Sequence, residues 1–344
     1  MGADRPPLYS VDPDLVISEL GPEAVLDLLK QMLRIRHFEL RSEAGYQQGK
    51  IGGFLHLYIG QEAIQTAAVR AIGMKNWWTT TYRCHALALL LGEPPRSLLA
   101  ELYGRQTGNA KGRGGSMHMF STQMLGGLAI VAGGIPIATG AALSCKRLKT
   151  GEISACFFGD GACAQGVFHE SLNIASMWSL PCMYVIENNK WSMGTPLCRT
   201  LANYDFFPEK AAEAYGIRYI RFDGMDVLQS YAAFSEAYRH IQKNERPILV
   251  EALTDRFRGH SISDPALYRT KEELRVCIER DPILVLKKTL LARKLLTEDQ
   301  FKEMDQSCRE EISSAASAAE GDPWPNPQEL EEGVFAPPLE QKVL

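Results

Sequence analysis

The chain has 344 residues, of which 45% are hydrophobic and 23% are charged, and its formal net charge at pH 7 is −4. A chain of this length and balance can bury one large core with additional segments, or two modest cores. It lacks the basic excess that nucleic acid or an anionic membrane usually demands, so neither is expected as a partner.

The first residues resemble neither a secretory signal nor a transit peptide. Residues 1–15 carry Asp4, Asp12 and Asp14 and have no apolar run, whereas a signal needs such a run and a transit peptide is rich in arginine. No stretch approaches the roughly 20 apolar residues that span a bilayer. We therefore expect a cytoplasmic protein. The eight cysteines form no CxxC pair, which argues against a cysteine metal site.

Helical and strand patterns alternate along most of the chain. Residues 1–24 are interpreted as an N-terminal arm, with a helix beginning at Gly21-Pro22-Glu23 because proline is favoured in the first helical turn. Apolar runs at Ile153–Phe158, Cys182–Ile186, Tyr219–Phe222 and Ile248–Leu253 alternate with helical patterns near 136–148, 166–178, 207–215 and 227–242. This alternation predicts an α/β domain over residues 25–290 with a mostly parallel sheet flanked by helices.

The C-terminal part, residues 291–344, is predicted to form a helix and a proline-rich tail. Thr297 and Gln300 have the spacing of a capping box that opens a helix toward Ala319. The acidic tail that follows contains Pro323, Pro337 and other prolines. We expect it to extend over a surface or a partner.

Polar residues follow two of the predicted strands. Gly159-Asp160-Gly161 comes after the first, and Asn188-Asn189 ends the second, one βαβ unit further on. Ligands of open α/β sheets bind beyond the carboxyl ends of strands, where glycines let the backbone approach an anion. A carboxylate beside a phosphate needs a cation between them, and Mg²⁺ favours few carboxylates together with phosphate oxygens. Gly-Asp-Gly alone is a common turn, so the pair of motifs is the specific signal.

These motifs resemble the signature of thiamine-diphosphate-dependent 2-oxoacid dehydrogenases, and in particular the alpha subunits of pyruvate dehydrogenases. The resemblance extends from about residue 25 to 290, and several motifs occur in the family's order. They are Ile51–Ala63, Lys111–Met119, Gly159–Gly166, Glu187–Thr195 and Arg256–Pro265. The resemblance implies the thiamine-diphosphate-binding fold, with helical extensions at both ends.

The resemblance implies a magnesium site and a diphosphate site. Asp160 and Asn189 would bind Mg²⁺ through their side chains and Trp191 through its carbonyl oxygen. The backbone amides of Gly161 and Ala162 would hold the diphosphate.

Further residues match family positions near the cofactor and the substrate. Tyr82 and Arg83 would contact the cofactor, and Val131 would support its bent conformation. His260 follows an apolar run in a basic loop and would neutralise diphosphate oxygens. His56 lies in an apolar stretch, where a core histidine is the simplest interpretation, but the resemblance places it near the substrate carboxylate.

One segment departs from the family's pattern. The family usually has Gly-(His/Asn)-Gly-Ile-Val-Gly near the aminopyrimidine, whereas this chain has Gly127-Leu128-Ala129-Ile130-Val131-Ala132. The carbonyl of Ala129 could still accept a bond from the exocyclic amine. The family's glycines at the positions of Ala129 and Ala132 are replaced here, and alanine does not adopt positive φ angles as readily as glycine does.

The resemblance also implies partners and a reaction. No second α/β domain that could hold the aminopyrimidine is recognisable, and in this family a beta subunit supplies it in an α2β2 assembly. The expected reaction is thiamine-diphosphate-dependent oxidative decarboxylation of pyruvate, with transfer of the acetyl group to the lipoyl arm of a dihydrolipoyl acyltransferase. Ser261 matches a serine that is phosphorylated in related animal enzymes, where a phosphate would repel the diphosphate.

Other functions compete with this interpretation. Within the family, acetoin dehydrogenase is the first alternative and branched-chain 2-oxoacid dehydrogenase the second. A nicotinamide-dependent dehydrogenase would need GxGxxG directly after a strand, and the glycine-rich stretch 104–115 follows no clear strand. A cofactor-free scaffold paralogue is disfavoured because Asp160, Asn189 and His260 are all present.

Overall fold

The structure, a computed structural model, describes residues 7–332. Its helices are α1 Pro13–Leu20, α2 Pro22–Gln47, α3 Glu62–Ile72, α4 His85–Leu90, α5 Pro95–Leu102, α6 Gly134–Leu148, α7 Gly166–Met177, α8 Phe207–Ala214, α9 Val227–Asn244, α10 Lys271–Glu279, α11 Pro282–Ala292 and α12 Glu298–Glu320. Its strands are β1 Trp77–Thr81, β2 Met124–Leu128, β3 Ser154–Gly159, β4 Cys182–Asn188, β5 Trp191–Ser192, β6 Thr195–Pro196, β7 Arg218–Asp223 and β8 Ile248–Leu253. None of these helices is long and apolar enough to cross a bilayer.

Six strands form one sheet in the order β2-β1-β3-β4-β8-β7, and every neighbouring pair is parallel. The prediction of an α/β fold with a mostly parallel sheet is therefore confirmed. All seven residues of β4 are buried, which is typical of a parallel strand covered by helices on both faces. The short strands β5 and β6 form a separate antiparallel ribbon directly after β4.

The hydrophobic core lies on both faces of this sheet. Alternate side chains of β3 enter different clusters, because successive residues of a strand point to opposite faces. Ala155 and Phe157 belong to the larger cluster, which also contains residues of α3 and α9. Cys156 and Phe158 belong to the smaller cluster, which contains residues of α6 and α7. The helices thus fix the sheet from both sides.

The N-terminal segment that was expected as an arm includes helix α1. The backbone amide of Tyr9 donates to Arg221 of β7 over 2.7 Å, and Gln229 of α9 accepts from the Val11 amide over 2.9 Å. These contacts fasten residues 9–11 to the edge of the sheet. The domain boundaries at 24 and 290 stay a prediction.

The predicted C-terminal helix is present as α12. Thr297 and Gln300 form both bonds of the capping box, as the spacing predicted. The helix packs on α2 and α5. Residues 333–344, the end of the predicted proline-rich tail, and residues 1–6 of the predicted arm lie outside the described residues.

The topology creates a crevice at the carboxyl edge of the sheet. From β1 the chain moves outward to β2, whereas from β3 it moves to β4 on the opposite side. Helices and loops that leave adjacent strands in opposite directions leave a gap between them. This gap lies beyond the ends of β1 and β3.

Candidate functional site

The segments after β1, β3 and β4 converge on one cavity of about 210 Å³. In the paired strands, Gly159 of β3 lies opposite Glu187 of β4, so the residues that follow the two strands are neighbours. Residues from all three strand ends line the cavity, together with residues that follow β2 and β8. They include Tyr82, Arg83, Val131, Asp160, Gly161, Ala162, Asn189, Trp191, Arg256 and His260.

Asp160 provides a buried and partly unpartnered carboxylate. It is 2% exposed, and one of its oxygens accepts the Gly161 amide over 2.9 Å. The other oxygen, Oδ2, is buried and has no hydrogen-bond partner among residues 7–332. Burial raises the pKa of this carboxyl to about 6. A buried anionic oxygen without a partner is costly, and a bound cation would compensate it.

Asn189 contributes an amide to the same cavity. It caps the turn into β5, because its side-chain oxygen accepts the Trp191 amide over 3.2 Å. Its amide nitrogen donates to the side-chain oxygen of Gln61 over 3.4 Å. The amide oxygen, which accepts one backbone amide, has a second lone pair that a ligand could use. The Asp160 carboxylate and the Asn189 amide oxygen are hard oxygen donors of the kind that Mg²⁺ prefers.

Two buried arginines bring positive charge to the cavity. Arg83 and Arg256 are 5% and 4% exposed. Burial, together with the positive charge of Arg256, lowers the pKa of Arg83 to about 10. Arg83 donates to the carbonyl oxygens of Leu57 over 2.7 Å and His260 over 2.6 Å. The two guanidinium groups line the cavity together with the carboxylates of Asp160 and Glu187, so a phosphate-bearing ligand would meet fixed cationic donors there.

The contacts of His260 define its tautomer. A guanidinium nitrogen of Arg256 lies 3.1 Å from Nδ1 of His260, and because a guanidinium can only donate, Nδ1 accepts and Nε2 carries the proton. Burial, with the charges of Arg83 and Arg256, lowers the pKa of His260 to about 3. Its backbone amide is held by Asp264 over 2.7 Å. His260 is therefore a neutral donor with a fixed orientation.

His56 belongs to a cluster of three rings. Its ring centroid lies 4.3 Å from that of Tyr82 and 5.0 Å from that of His260. Burial, followed by the charge of Arg83, lowers the pKa of His56 to about 3. Tyr82 and His260 line the cavity, and His56 packs against both. Its Nδ1 atom is buried without a partner among the described residues.

The segment after β2 keeps a left-handed residue without a glycine. Ala132 has φ of 66°, a conformation that L residues rarely adopt. Leu128, Val131 and Ala132 line the cavity, whereas Ala129 is not among the residues that line it.

Gly161 requires its glycine for space, since a Cβ atom there would lie 2.4 Å from the Ser192 hydroxyl.

Comparison with known proteins decides the family. The sequence signature of the family described as "Dehydrogenase E1 component" matches residues 30–328. A "Pyruvate dehydrogenase E1 component subunit alpha" of Rickettsia felis is 43% identical over 316 residues, which cover 91% of this chain and 96% of the relative. The protein of the same name from Rhizobium meliloti is 41% identical, with coverage of 91% and 90%.

The chain belongs to the dehydrogenase E1 component family. A third relative named "Pyruvate dehydrogenase E1 component subunit alpha", from Porphyra purpurea, is 41% identical over 92% of this chain and 94% of its own length. The family depends on thiamine diphosphate, whose diphosphate is an anion of the kind that guanidinium donors bind.

Glu187 is a cavity residue that was not predicted from the sequence. Glu187 lines the cavity, is 3% exposed and accepts the hydroxyl of Tyr58. Burial raises its pKa to about 7. The sequence signal that could have identified Glu187 is its place at the end of an apolar run, directly before Asn188-Asn189.

Two charged residues near the cavity, Glu62 and Arg258, are held in ion pairs with other side chains. Glu62 is fully buried in an ion pair with Arg36, and Arg36 also pairs with Asp281 over 2.8 Å. Arg258 forms a two-point ion pair with Glu43, at 2.9 and 3.0 Å. Glu62 thus has a structural role. Arg258 is fixed to α2 and does not line the cavity.

Proposed function

We propose that this chain is the alpha subunit of a pyruvate dehydrogenase decarboxylating component. The observation that carries the proposal is that the unpartnered Asp160 carboxylate and the Asn189 amide follow neighbouring strands and line one cavity. Relatives of 41–43% identity that carry this name support the choice of pyruvate as the substrate. The reaction is oxidative decarboxylation of pyruvate with reductive acetylation of a lipoyl group, and we expect it in the cytoplasm.

The chain's own residues would hold magnesium and the diphosphate. Asp160, Asn189 and the carbonyl of Trp191 bind Mg²⁺, and the amides of Gly161 and Ala162 face the phosphate oxygens. Tyr82, Arg83 and Val131 complete the cofactor contacts, and the carbonyl of Ala129 is proposed for the aminopyrimidine amine. The left-handed Ala132 shows that the segment after β2 can keep a tight turn without the family's glycine.

When bound, thiamine diphosphate supplies an electron sink for decarboxylation. The two neutral histidines supply hydrogen bonds. His260 has its proton on Nε2 and can donate to an anionic oxygen of the diphosphate, because Arg256 occupies Nδ1. His56, held against Tyr82 and His260, is proposed to bind the carboxylate of pyruvate.

The cavity is proposed to be completed by a beta subunit in an α2β2 assembly. Its open side carries exposed apolar residues, since Ile130 is 78% and Val131 50% exposed. Contiguous exposed apolar surface beside a cavity is typical of an interaction site. The beta subunit would provide the carboxylate for the aminopyrimidine, and the acetyl group would pass to a lipoyl-bearing dihydrolipoyl acyltransferase.

The proposal is tested by turnover of the chain assembled with its beta partner. Pyruvate, acetoin and 2-oxoisovalerate are compared as substrates, with thiamine diphosphate, Mg²⁺ and a lipoyl-domain acceptor. We expect the highest kcat/KM for pyruvate, and loss of turnover in Asp160→Ala. A preference for acetoin or 2-oxoisovalerate would overturn the substrate. Unchanged cofactor affinity in Asp160→Ala would instead support a non-catalytic scaffold.

A further inference from the structure

A single buried carboxylate organises the glycine-rich loop, which we define as residues 104–118. Glu101 lies on α5 and has no exposed surface. One of its oxygens accepts the amides of Ala110 and Gly112, each over 2.9 Å. The other accepts the amides of Gly114 over 2.6 Å and Gly115 over 3.2 Å. Four converging amides bond the buried carboxylate, and it forms no ion pair with a cationic side chain among residues 7–332.

The loop has the glycines that this wrapping requires. Gly112 and Gly115 have φ angles of 75° and 59°, which favour glycine. A Cβ atom at Gly114 would lie 2.0 Å from the carbonyl oxygen of His118, and one at Gly108 would lie 2.2 Å from the Glu101 carboxylate. The sequence of the loop therefore fits a backbone that closes around an anion belonging to the protein.

Ser116 and Met119, which follow these amides in the chain, form hydrogen bonds to two segments that lead to the site. The hydroxyl of Ser116 donates to the carbonyl of Phe54 over 2.8 Å, two residues before His56. The amide of Gly127 in β2 donates to the carbonyl of Met119 over 2.9 Å, and β2 leads directly to Val131. The loop thus supports both His56 and the segment after β2.

A third contact fastens the loop to helices α4 and α2. Ring nitrogen Nε2 of His85 lies 3.0 Å from the Ser116 carbonyl, and Nδ1 lies 3.0 Å from the Glu39 carboxylate. All of these groups are buried. A loop fixed at Glu101 and His85 has little freedom to move, so the segments that it supports are held as well.

We infer that Glu101 is a positioning residue for the thiamine diphosphate and substrate site, acting through the glycine-rich loop. The inference rests on the proposed function, because it assigns the loop's role to that cofactor. In Glu101→Gln the side chain keeps its shape but has one acceptor oxygen. The two amides that face the new NH₂ group lose their acceptor, and buried donors without acceptors destabilise the closed loop.

The loop provides its own protease reporter. Lys111 and Arg113 are exposed within it, so trypsin can cleave there once the backbone is released. In the full chain, we expect Glu101→Gln to increase the rate of cleavage at these two sites at least about tenfold under native conditions. Glu62→Gln is the matched control. It alters a buried carboxylate outside the loop and should change the cleavage rate less than about twofold.

The second readout is cofactor saturation of the assembled α–β enzyme. For Glu101→Gln we expect the thiamine diphosphate concentration at half-maximal rate to rise at least about tenfold, with a smaller change in kcat at saturation, because the loop prepares the site before binding. Gly114→Ala opens the same loop while the carboxylate is retained, and it should reproduce both effects. It also decides the question if Glu101→Gln does not fold.

The outcomes separate this inference from the proposed function. Accelerated cleavage with unchanged half-saturation in both variants would show that the loop does not position the site. Unchanged cleavage in both would show that Glu101 does not hold the loop. Either result overturns the inference. Failure of the wild-type enzyme to bind thiamine diphosphate would refute the proposed function, whereas the cleavage rates would still report on Glu101.

Discussion

Replacement of Asp160 by asparagine should stabilise the chain in the absence of metal and cofactor. Burial raises the pKa of this carboxyl from 3.8 to about 6, so the charged form is disfavoured in the folded state. The resulting penalty is absent well below pH 3.8, grows as the pH rises from about 4 to 6, and is constant above that range. Asparagine keeps the oxygen that accepts the Gly161 amide and avoids the charge penalty, while its buried NH₂ group adds a cost that does not depend on pH.

The magnitude follows from the two pKa values. Each pH unit between them corresponds to about 1.4 kcal/mol, so the penalty at pH 8 is about 3 kcal/mol. At pH 4.5 the same relation leaves about 1 kcal/mol. The stability advantage of Asp160→Asn over the wild type should therefore shrink by about 2 kcal/mol between pH 8 and pH 4.5.

Urea unfolding in EDTA, without cofactor, measures this difference. Repeating it with Mg²⁺ and thiamine diphosphate provides the control, since ligand binding to the folded state should raise the stability of the wild type and not that of the variant. A stability difference between the variant and the wild type that does not change with pH would refute the assignment of Asp160 as a buried carboxylate that awaits a cation.

Three further changes test other parts of the structure. Ala132→Gly should raise the free energy of unfolding by up to about 1 kcal/mol, because it relieves the left-handed conformation; an equal loss in urea unfolding would contradict this. Arg36→Leu leaves two buried carboxylates unpaired and should cost about 3–5 kcal/mol at pH 7 in the same assay. The imidazole NMR signals of His56 and His260 should stay those of neutral rings from pH 5 to 8, because burial lowers both pKa values to about 3; a titration midpoint near 6.5 in the free chain would show that these rings are solvated.

The parts of the site that were predictable lie on strands with strong local signals. Strands β3 and β4 are apolar runs that end in polar residues, and the rule for parallel sheets places those ends together. Strands β1 and β2 were not predicted. Trp77–Thr81 contains three threonines and Met124–Leu128 contains two glycines, so neither reads as a buried strand. Their pairing with β3, directly or through β1, forms only in the folded sheet.

Residues that act through tertiary contacts gave no sequence signal. Glu101 bonds amides that lie 9 to 14 positions away, a spacing that matches no helical or strand period. The ring cluster of His56, Tyr82 and His260 joins three segments far apart in the chain. Such arrangements depend on loop conformations that are set by the whole fold. The resemblance to the family pointed to His56, Tyr82 and His260, whereas nothing in the sequence pointed to Glu101.

The claim on which the proposed function depends is that Asp160 and Asn189 bind one divalent cation that also binds the diphosphate. A crystal structure of the α–β assembly with thiamine diphosphate and Mn²⁺ in place of Mg²⁺ tests it directly. We expect an anomalous peak about 2.1–2.2 Å from one oxygen of each side chain and from two phosphate oxygens. A metal bound elsewhere, or a diphosphate seated without a metal between these two strand ends, would contradict the account.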